Sequence, residues 1–142
     1  MWTTRHEAET DADPGAVWAA IEALKHGARW SDATDAFELH GPFAVGTRIT
    51  VTPAGQDAMT SVITELVPGE RYADRTDFQG LALTFRHALM PLADGGTRVT
   101  HVLEIDGDGA DEIGPELGPR IASDFPAAMD ELLAAAAGAR AR

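Results

Sequence analysis

The 142-residue sequence predicts an α+β domain in which a curved antiparallel sheet wraps around a C-terminal helix. Seven segments alternate in polarity with a period of two, as half-buried strands do, and short turns join most of them. One long segment, residues 116–138, instead repeats its apolar residues at helical spacing. Strands joined by short turns pair antiparallel, and the helix can bury its apolar stripe only against the sheet.

The first two elements are a strand and a helix. The strand "TTRHEAET" has a charged outer side and carries His6 on the other side. Asp13 then suits a helix N-cap, and Pro14 suits the first helical position, where its missing N–H costs nothing. The predicted helix buries one stripe, formed by Val17, Ile21 and Leu24, with Trp18 beside it. "HGARWSDATDA" ends this helix and leaves room for a second short one.

Four strands follow in the middle of the chain, with the sequences "FELHG", "GTRITVTP", "MTSVITELVPGE" and "RYADRTDF". The inward face of the third of these is ambiguous. If Glu65 points to water, Val62 and Leu66 point inward.

The last two strands, "LALTFRHALMP" and "TRVTHVLEID", form a predicted hairpin. Their connection contains "ADG", which suits a type I turn followed by a glycine in the left-handed region. This three-residue loop pairs Leu92 with Gly96, and counting back pairs His87 with His101. A two-residue turn would set apolar faces against polar ones throughout, so we reject it.

When two histidines face each other among apolar residues, protonation of both rings at the same time is unfavourable. At least one of His87 and His101 should therefore be neutral near pH 7. Their ring nitrogens need partners, which a wet or ligand-filled cavity supplies more easily than a dry core. The alternative is that either histidine is a core residue bonded to backbone, or lies at the margin of the sheet.

The C-terminal segment is the predicted long helix, and Pro126 within it should produce a kink. We expect the preceding "DGDGADE", residues 106–112, to be an exposed loop. It lacks the sixth-position glycine and the twelfth-position glutamate of a calcium loop. We expect the tail, residues 139–142, to be frayed. The buried stripe of this helix should consist of Ile121, Phe125, Met129, Leu132, Leu133 and Ala136.

Composition favours a single domain, residues 1–142. The sequence has no apolar run of about 18 residues and no signal-like N-terminus, and we expect a cytoplasmic location. It contains no cysteine, which excludes disulfides, thiolate metal sites and thiol catalysis. The net charge of −12 disfavours nucleic acid and anionic membrane surfaces as partners.

The chain resembles the START-like (SRPBCC, helix-grip) superfamily, in particular its bacterial polyketide cyclase/dehydrase-like branch. The matching stretches cover most of the chain in the family's order. They are "DADPGAVWAAI", "FELHGPFAVGTRITVTP", "VITELVPGERY" and "LTFRHALMPLADGGTRVTHVLEIDG", followed by the last helix. The resemblance implies a seven-stranded sheet that grips this helix, with a deep, largely apolar cavity between them. It also implies that the first strand lies beside the last, which would bring His6 close to His101.

Members of this superfamily bind lipids, sterols, plant hormones or polyketides in the cavity, and some catalyse cyclisation or dehydration. The superfamily offers no invariant catalytic motif, so the resemblance transfers no catalytic role to a residue of this chain. By parity, His87 and His101 are the candidate catalytic residues. The candidate ligand-binding residues are Tyr72, Asp74, Thr76, Phe78, Phe85, Leu103, Trp30, Phe125 and Met129. If the fifth strand has the opposite parity, Tyr72 and Asp74 leave the site and Arg75 enters it.

Three inward histidines on neighbouring strands offer a zinc alternative, but no HExxH-like spacing supports it, and we predict neither a metal nor a cofactor.

The first functional hypothesis is a protein that binds a small, mostly apolar ligand, lipid-like or polyketide-like. The first alternative is a cyclase or dehydratase-type enzyme that uses the histidines as acid and base. The second alternative is a protein-interaction module with an inert core. The sequence leaves a monomer and a homodimer open.

Overall fold

The computed structural model describes residues 1–140, so residues 141–142 of the predicted frayed tail lie outside the described part. The strands are β1 (Trp2–Thr10), β2 (Ala36–Leu39), β3 (Arg48–Thr52), β4 (Met59–Val67), β5 (Arg71–Phe78), β6 (Leu81–Pro91) and β7 (Thr97–Asp106). The helices are α1 (Pro14–Lys25), α2 (Ala110–Ile121) and α3 (Phe125–Arg140). A short 3₁₀ turn, Ala122–Asp124, separates α2 from α3.

All seven strands form one antiparallel sheet with the order β1-β7-β6-β5-β4-β3-β2. This confirms the predicted α+β helix-grip fold. The β6–β7 hairpin has the predicted register, with His87 opposite His101, and Gly95 closes its loop with φ of 91°. Because β1 lies beside β7, His6 also faces His101. Of the one or two short helices expected between the first two strands, the structure has one, α1.

Strand β4 changes its inward face part-way along. Ile63 faces Asp74 on β5, but the register then shifts, and Leu66 faces Tyr72. This bulge adds one residue to β4 and reverses its parity. The expectation that Leu66 points inward was right, whereas that for Val62 was wrong, because Val62 lies on the outer face and is 38% exposed.

The C-terminal helical segment begins earlier than predicted and is interrupted. Helix α2 starts at Ala110, directly after Gly109 in the left-handed region, so the expected loop 106–112 is shorter. Pro126 is the second residue of α3. Its missing N–H is harmless there, because the first N–H groups of a helix have no partner within the helix. The segment therefore breaks just before Pro126 instead of kinking at it.

The buried apolar residues form two clusters between the sheet and the helices. The first cluster joins α1, α3 and one end of the sheet and contains Ala12, Val17, Trp18, Ala20, Ile21, Ile49, Ile63, Tyr72, Leu89, Val99, Met129, Leu132 and Ala136. The second cluster lies towards α2 and contains Leu81, Leu83, Leu103, Ile105, Ala110 and Phe125. Within residues 1–140, no helix has the length and apolar character needed to cross a bilayer.

Candidate functional site

A belt of polar side chains crosses the inner face of the sheet between the two apolar clusters. On β7, His101 lies between Val99 of the first cluster and Leu103 of the second. On β6, His87 likewise lies between Leu89 and Phe85. We define the polar belt as His6, His101, His87, Asp74, Thr76 and Ser61, which the strand register places on one face.

The centre of the belt is a stack of three rings. The imidazoles of His87 and His101 are parallel within 19°, with their centroids 4.1 Å apart. The Phe125 ring from the start of α3 covers the other side of His101 at 3.8 Å. The hairpin register brings the two histidines together, and the N-terminus of α3 supplies the third ring.

Both stacked histidines are held in their neutral form. Burial lowers the pKa of His101 to about 3, and the nearby charges of Lys25 and His6 add to this effect. Burial also lowers the pKa of His87 well below its ordinary value, assisted by His101 and Lys25. Near pH 7 each ring therefore offers one N–H donor and one acceptor nitrogen.

The ring nitrogens of the belt histidines are not used by the protein. Among the side chains of residues 1–138, those of His6, His87 and His101 neither donate nor accept a hydrogen bond. In the same part of the chain, every fully enclosed side-chain polar atom has a hydrogen-bond partner. The unbonded nitrogens of these three histidines are therefore within reach of a water-sized molecule.

A bonded tyrosine–aspartate pair continues the belt on β5. The Tyr72 hydroxyl donates to Oδ2 of Asp74 over 2.8 Å, and both residues are buried. Burial raises the pKa of Asp74, and the charge of Lys25 and the bond from Tyr72 offset part of this. Burial and the Asp74 charge also raise the pKa of Tyr72. With Tyr72 and Asp74 inward, β5 has the expected parity, and Arg75 is exposed on the outer face.

Lys25 is a functional candidate that our sequence reasoning missed. It ends α1, is only 4% exposed, and its Nζ lies 3.9 Å from the centroid of the Phe37 ring and 4.7 Å from that of Tyr72. Burial lowers its pKa, against the opposing effects of Asp74 and Asp35. Two signals in the sequence point to it: Lys25 continues the helical spacing of Val17 and Ile21, and it is the one lysine in the chain.

The end of the belt at β4 and β5 lies close to a surface concavity. Ser61 and Thr76 share a hydrogen bond there and are both buried. A concavity of about 540 Å³ adjoins Thr76 and extends past Met59 and Phe78 to the β3–β4 turn. Thr76 is the one belt residue that lines this concavity.

The structure brings together most of the predicted site residues. His101, Tyr72, Asp74, Thr76, Leu103, Phe125 and Met129 are buried on the inner side, and His87, Phe85 and Phe78 are half-buried there. Trp30 does not join them, because it lies in the loop after α1 and is 37% exposed. Within residues 1–140, no group of three or more His, Cys, Asp or Glu side chains is arranged to hold a metal ion.

Comparisons with known proteins give one family and a consistent fold. The family described as "Polyketide cyclase / dehydrase and lipid transport" matches residues 1–139. No curated protein is significantly similar in sequence.

Three solved structures illustrate the similarity in fold. Ara h 8.0201 is 16% identical, with a TM-score of 0.76 and coverage of 96% of this chain and 98% of its own. Norcoclaurine synthase from Thalictrum flavum, in complex with dopamine and hydroxybenzaldehyde, is 16% identical, with a TM-score of 0.67 and coverage of 93% and 83%. DynU16, a putative protein in the dynemicin biosynthetic locus, is 17% identical, with a TM-score of 0.66 and coverage of 92% and 45%.

At these identities the solved structures establish the fold alone, whereas the family match extends over almost the whole sequence. The chain belongs to the polyketide cyclase / dehydrase and lipid transport family.

Proposed function

We propose that this protein binds a small, mostly apolar ligand, lipid-like or polyketide-like, in the interior between the sheet and α3. The observation that carries the proposal is the set of unbonded ring nitrogens of the belt histidines, of which His101 is buried and His87 and His6 are half-buried between two apolar clusters. Polar groups in such a place need hydrogen-bond partners, and a ligand with a few polar atoms provides them.

The family and the fold support a binding role. The family description includes lipid transport, and norcoclaurine synthase, which shares the fold, is complexed with two small aromatic molecules. The half-buried rings of Phe85 and Phe78 would contact the apolar part of the ligand, and the groove beside Thr76 would admit it.

Catalysis of the cyclase or dehydratase kind is the alternative, and the electrostatics of the site argue against its simplest form. A general base works best when its pKa lies near the working pH. Burial holds the pKa of His101 at about 3 and that of His87 well below its ordinary value, so both are weak bases in the unliganded protein. They are better suited to donate and accept hydrogen bonds than to remove protons.

A protein-interaction module with an inert core is the second alternative. It requires a closed, fully satisfied interior. The unbonded nitrogens of the belt and the half-buried state of His87 and Phe85 on the concave face do not fit that requirement.

The test uses N-phenyl-1-naphthylamine, a neutral apolar dye that becomes fluorescent in apolar sites. We expect saturable binding, displacement by medium-chain lipids, and a rise in melting temperature with dye concentration. His87→Trp fills the space beside His101 and should abolish binding. Val62→Trp, on the outer face of the sheet, is the matched control and should bind as the wild type does. Equal binding by both variants would place the dye elsewhere and refute the proposal.

A further inference from the structure

The environment of Lys25 specifies the polar group of the proposed ligand. Its side chain enters the interior from the last turn of α1 and stands over the faces of Phe37 and Tyr72. An ammonium group over an aromatic face is attracted by the ring quadrupole, so the two rings favour the charged form at this position. Apart from Lys25, the strongly basic residues of the chain are arginines, and those among residues 1–138 are all at least partly exposed.

The ammonium group has no hydrogen-bond partner from the protein. Within residues 1–140, Lys25 makes neither a hydrogen bond nor an ion pair, although every fully enclosed side-chain polar atom there has a partner. Its Nζ is therefore accessible to a water-sized molecule, although the residue as a whole is 96% buried. Its three donors and its positive charge are therefore free to meet an acceptor from outside the protein.

The neighbouring carboxyl groups do not compensate this charge directly. Asp74 and Asp35 both influence Lys25, yet neither forms an ion pair with it. Oδ2 of Asp74 already accepts the Tyr72 hydroxyl, and burial favours the protonated form of this carboxyl group. A charge removed from water without a close counter-ion is unfavourable, and a ligand that brings the counter-ion removes that penalty.

We infer that Lys25 anchors the head group of the ligand and that this head group is an anionic oxygen, most simply a carboxylate. The inference rests on the proposed binding function and adds its chemical selectivity. An ammonium group has no acceptor, so the partner must be an acceptor, and a charged acceptor forms the stronger bond. The ligand is accordingly an amphiphile, with an anionic oxygen at Lys25 and an apolar body between the two clusters.

The experiment compares decanoate, 1-decanol and decylammonium, which share one chain and differ in the head group, as competitors of N-phenyl-1-naphthylamine. On the wild type, decanoate should displace the dye at least tenfold more effectively than decanol, and decylammonium should be the weakest. Lys25→Met keeps an unbranched side chain over Phe37 and Tyr72. It should retain the dye and decanol but lose the preference for decanoate. Arg48→Met, on the exposed side of β3, is the matched control and should keep the wild-type preference.

A second measurement does not depend on the variant folding. Because the chain has one lysine, labelling lysine with ¹³C at the ε position gives a single resonance, that of Lys25. Decanoate should shift this resonance strongly in the wild type, and decanol should shift it little.

The outcomes separate this inference from the binding function. If dye and decanol bind but decanoate has no advantage, or if its advantage survives in Lys25→Met, the inference is wrong and the binding function stands. If none of the compounds binds the wild type, the binding function itself fails and the inference with it. A purely structural lysine would change the melting temperature of the variant without changing the order of the three head groups.

Discussion

At the scale of single residues, His101 links the stability of the fold to pH. Its folded pKa of about 3 lies below the ordinary value of 6.5, so the unfolded chain binds the proton more readily than the folded one. The contribution of neutral His101 to the free energy of unfolding is fully present above pH 6.5. It is lost as the pH falls towards the pKa of His101 in the folded protein. His101→Phe keeps a ring between His87 and Phe125 and removes this titration. At pH values well below 6.5 and above about 3, the free energy of unfolding should decline more steeply in the wild type than in the variant, by about 1.4 kcal/mol per pH unit.

Urea unfolding at a series of pH values measures this difference. Buried carboxyl groups with raised pKa values, such as Asp74, have the opposite effect on stability, because the folded protein binds their proton more readily than the unfolded chain does. They are common to both proteins, so the comparison removes them. Parallel curves for the wild type and His101→Phe would show that His101 does not resist protonation in the folded state.

The sequence was sufficient to pair the two histidines but not to find Lys25. The turn "ADG" fixes the register of one hairpin, and the alternating polarity of β6 and β7 then leaves one face for both rings. The helical spacing of Val17 and Ile21 reaches Lys25, but a lysine in the last turn of a helix is common because it interacts favourably with the helix dipole. That spacing alone was therefore a weak indication of burial. The position of Lys25 over the rings of Phe37 and Tyr72 depends on how the sheet curves, which a periodic pattern does not encode.

The bond between Tyr72 and Asp74 gives a second prediction at this scale. Tyr72→Phe leaves Oδ2 of Asp74 without its partner, and a buried acceptor left unbonded costs about 1–3 kcal/mol. We expect a loss of roughly 2 kcal/mol in the free energy of unfolding, measured with urea near pH 7. In an Asp74→Ala background the same change should cost clearly less, because the acceptor that Tyr72→Phe leaves unbonded is already absent. An equal loss in both backgrounds would mean that the hydroxyl stabilises the fold through packing alone.

At the scale of elements, α2 is held by its contact with the first strand rather than by its own sequence. Pro115 and Pro119 each remove a backbone donor from the helix. Gly114 and Gly118 lie against the indole of Trp2, where a Cβ atom would collide with the ring. The two glycines therefore allow the strand and the helix to approach closely.

Gly118→Ala tests this contact. The added methyl group must displace Trp2, and overpacking of this kind costs about 1–3 kcal/mol. The loss in the free energy of unfolding should shrink markedly in a Trp2→Ala background. A smaller loss should remain there, because a residue with a Cβ before a proline disfavours helical geometry. Gly138→Ala, whose Cβ would meet no atom within 4 Å, is the control and should be neutral or slightly stabilising. An undiminished loss in the Trp2→Ala background would exclude the contact as its cause.

The sequence predicted elements well and their interruptions poorly. All seven strands followed from the period of two, and the apolar stripe of the last helix was confirmed for Phe125, Met129 and Leu132. The β4 bulge was missed because an inserted residue changes parity without leaving a characteristic residue type. The break between α2 and α3 was missed because a proline at the start of a helix and a proline at a kink look alike in sequence.

At the scale of the whole molecule, the surplus of acidic groups opposes folding. The chain has 23 acidic and 11 basic residues, and compaction brings these like charges closer together. The ion pairs of the outer sheet face, such as that between Arg98 and Glu9, are at least partly exposed, and exposed pairs contribute about 0–1 kcal/mol each. Repulsion among the unpaired acidic groups should therefore outweigh attraction within the pairs.

Added salt should consequently stabilise the protein. Raising NaCl from about 0.01 M to about 1 M shortens the screening length from about 30 Å to about 3 Å, which removes the long-range repulsion first and weakens the close pairs less. We expect the urea midpoint of unfolding to rise and the free energy of unfolding to increase by about 1 kcal/mol. Replacing the exposed residues Asp57, Asp108 and Glu112 by Asn or Gln changes the net charge from −12 to −9 and should reduce the gain from salt. A midpoint that falls with salt would show that the outer ion pairs, rather than the net charge, dominate the electrostatic free energy of the fold.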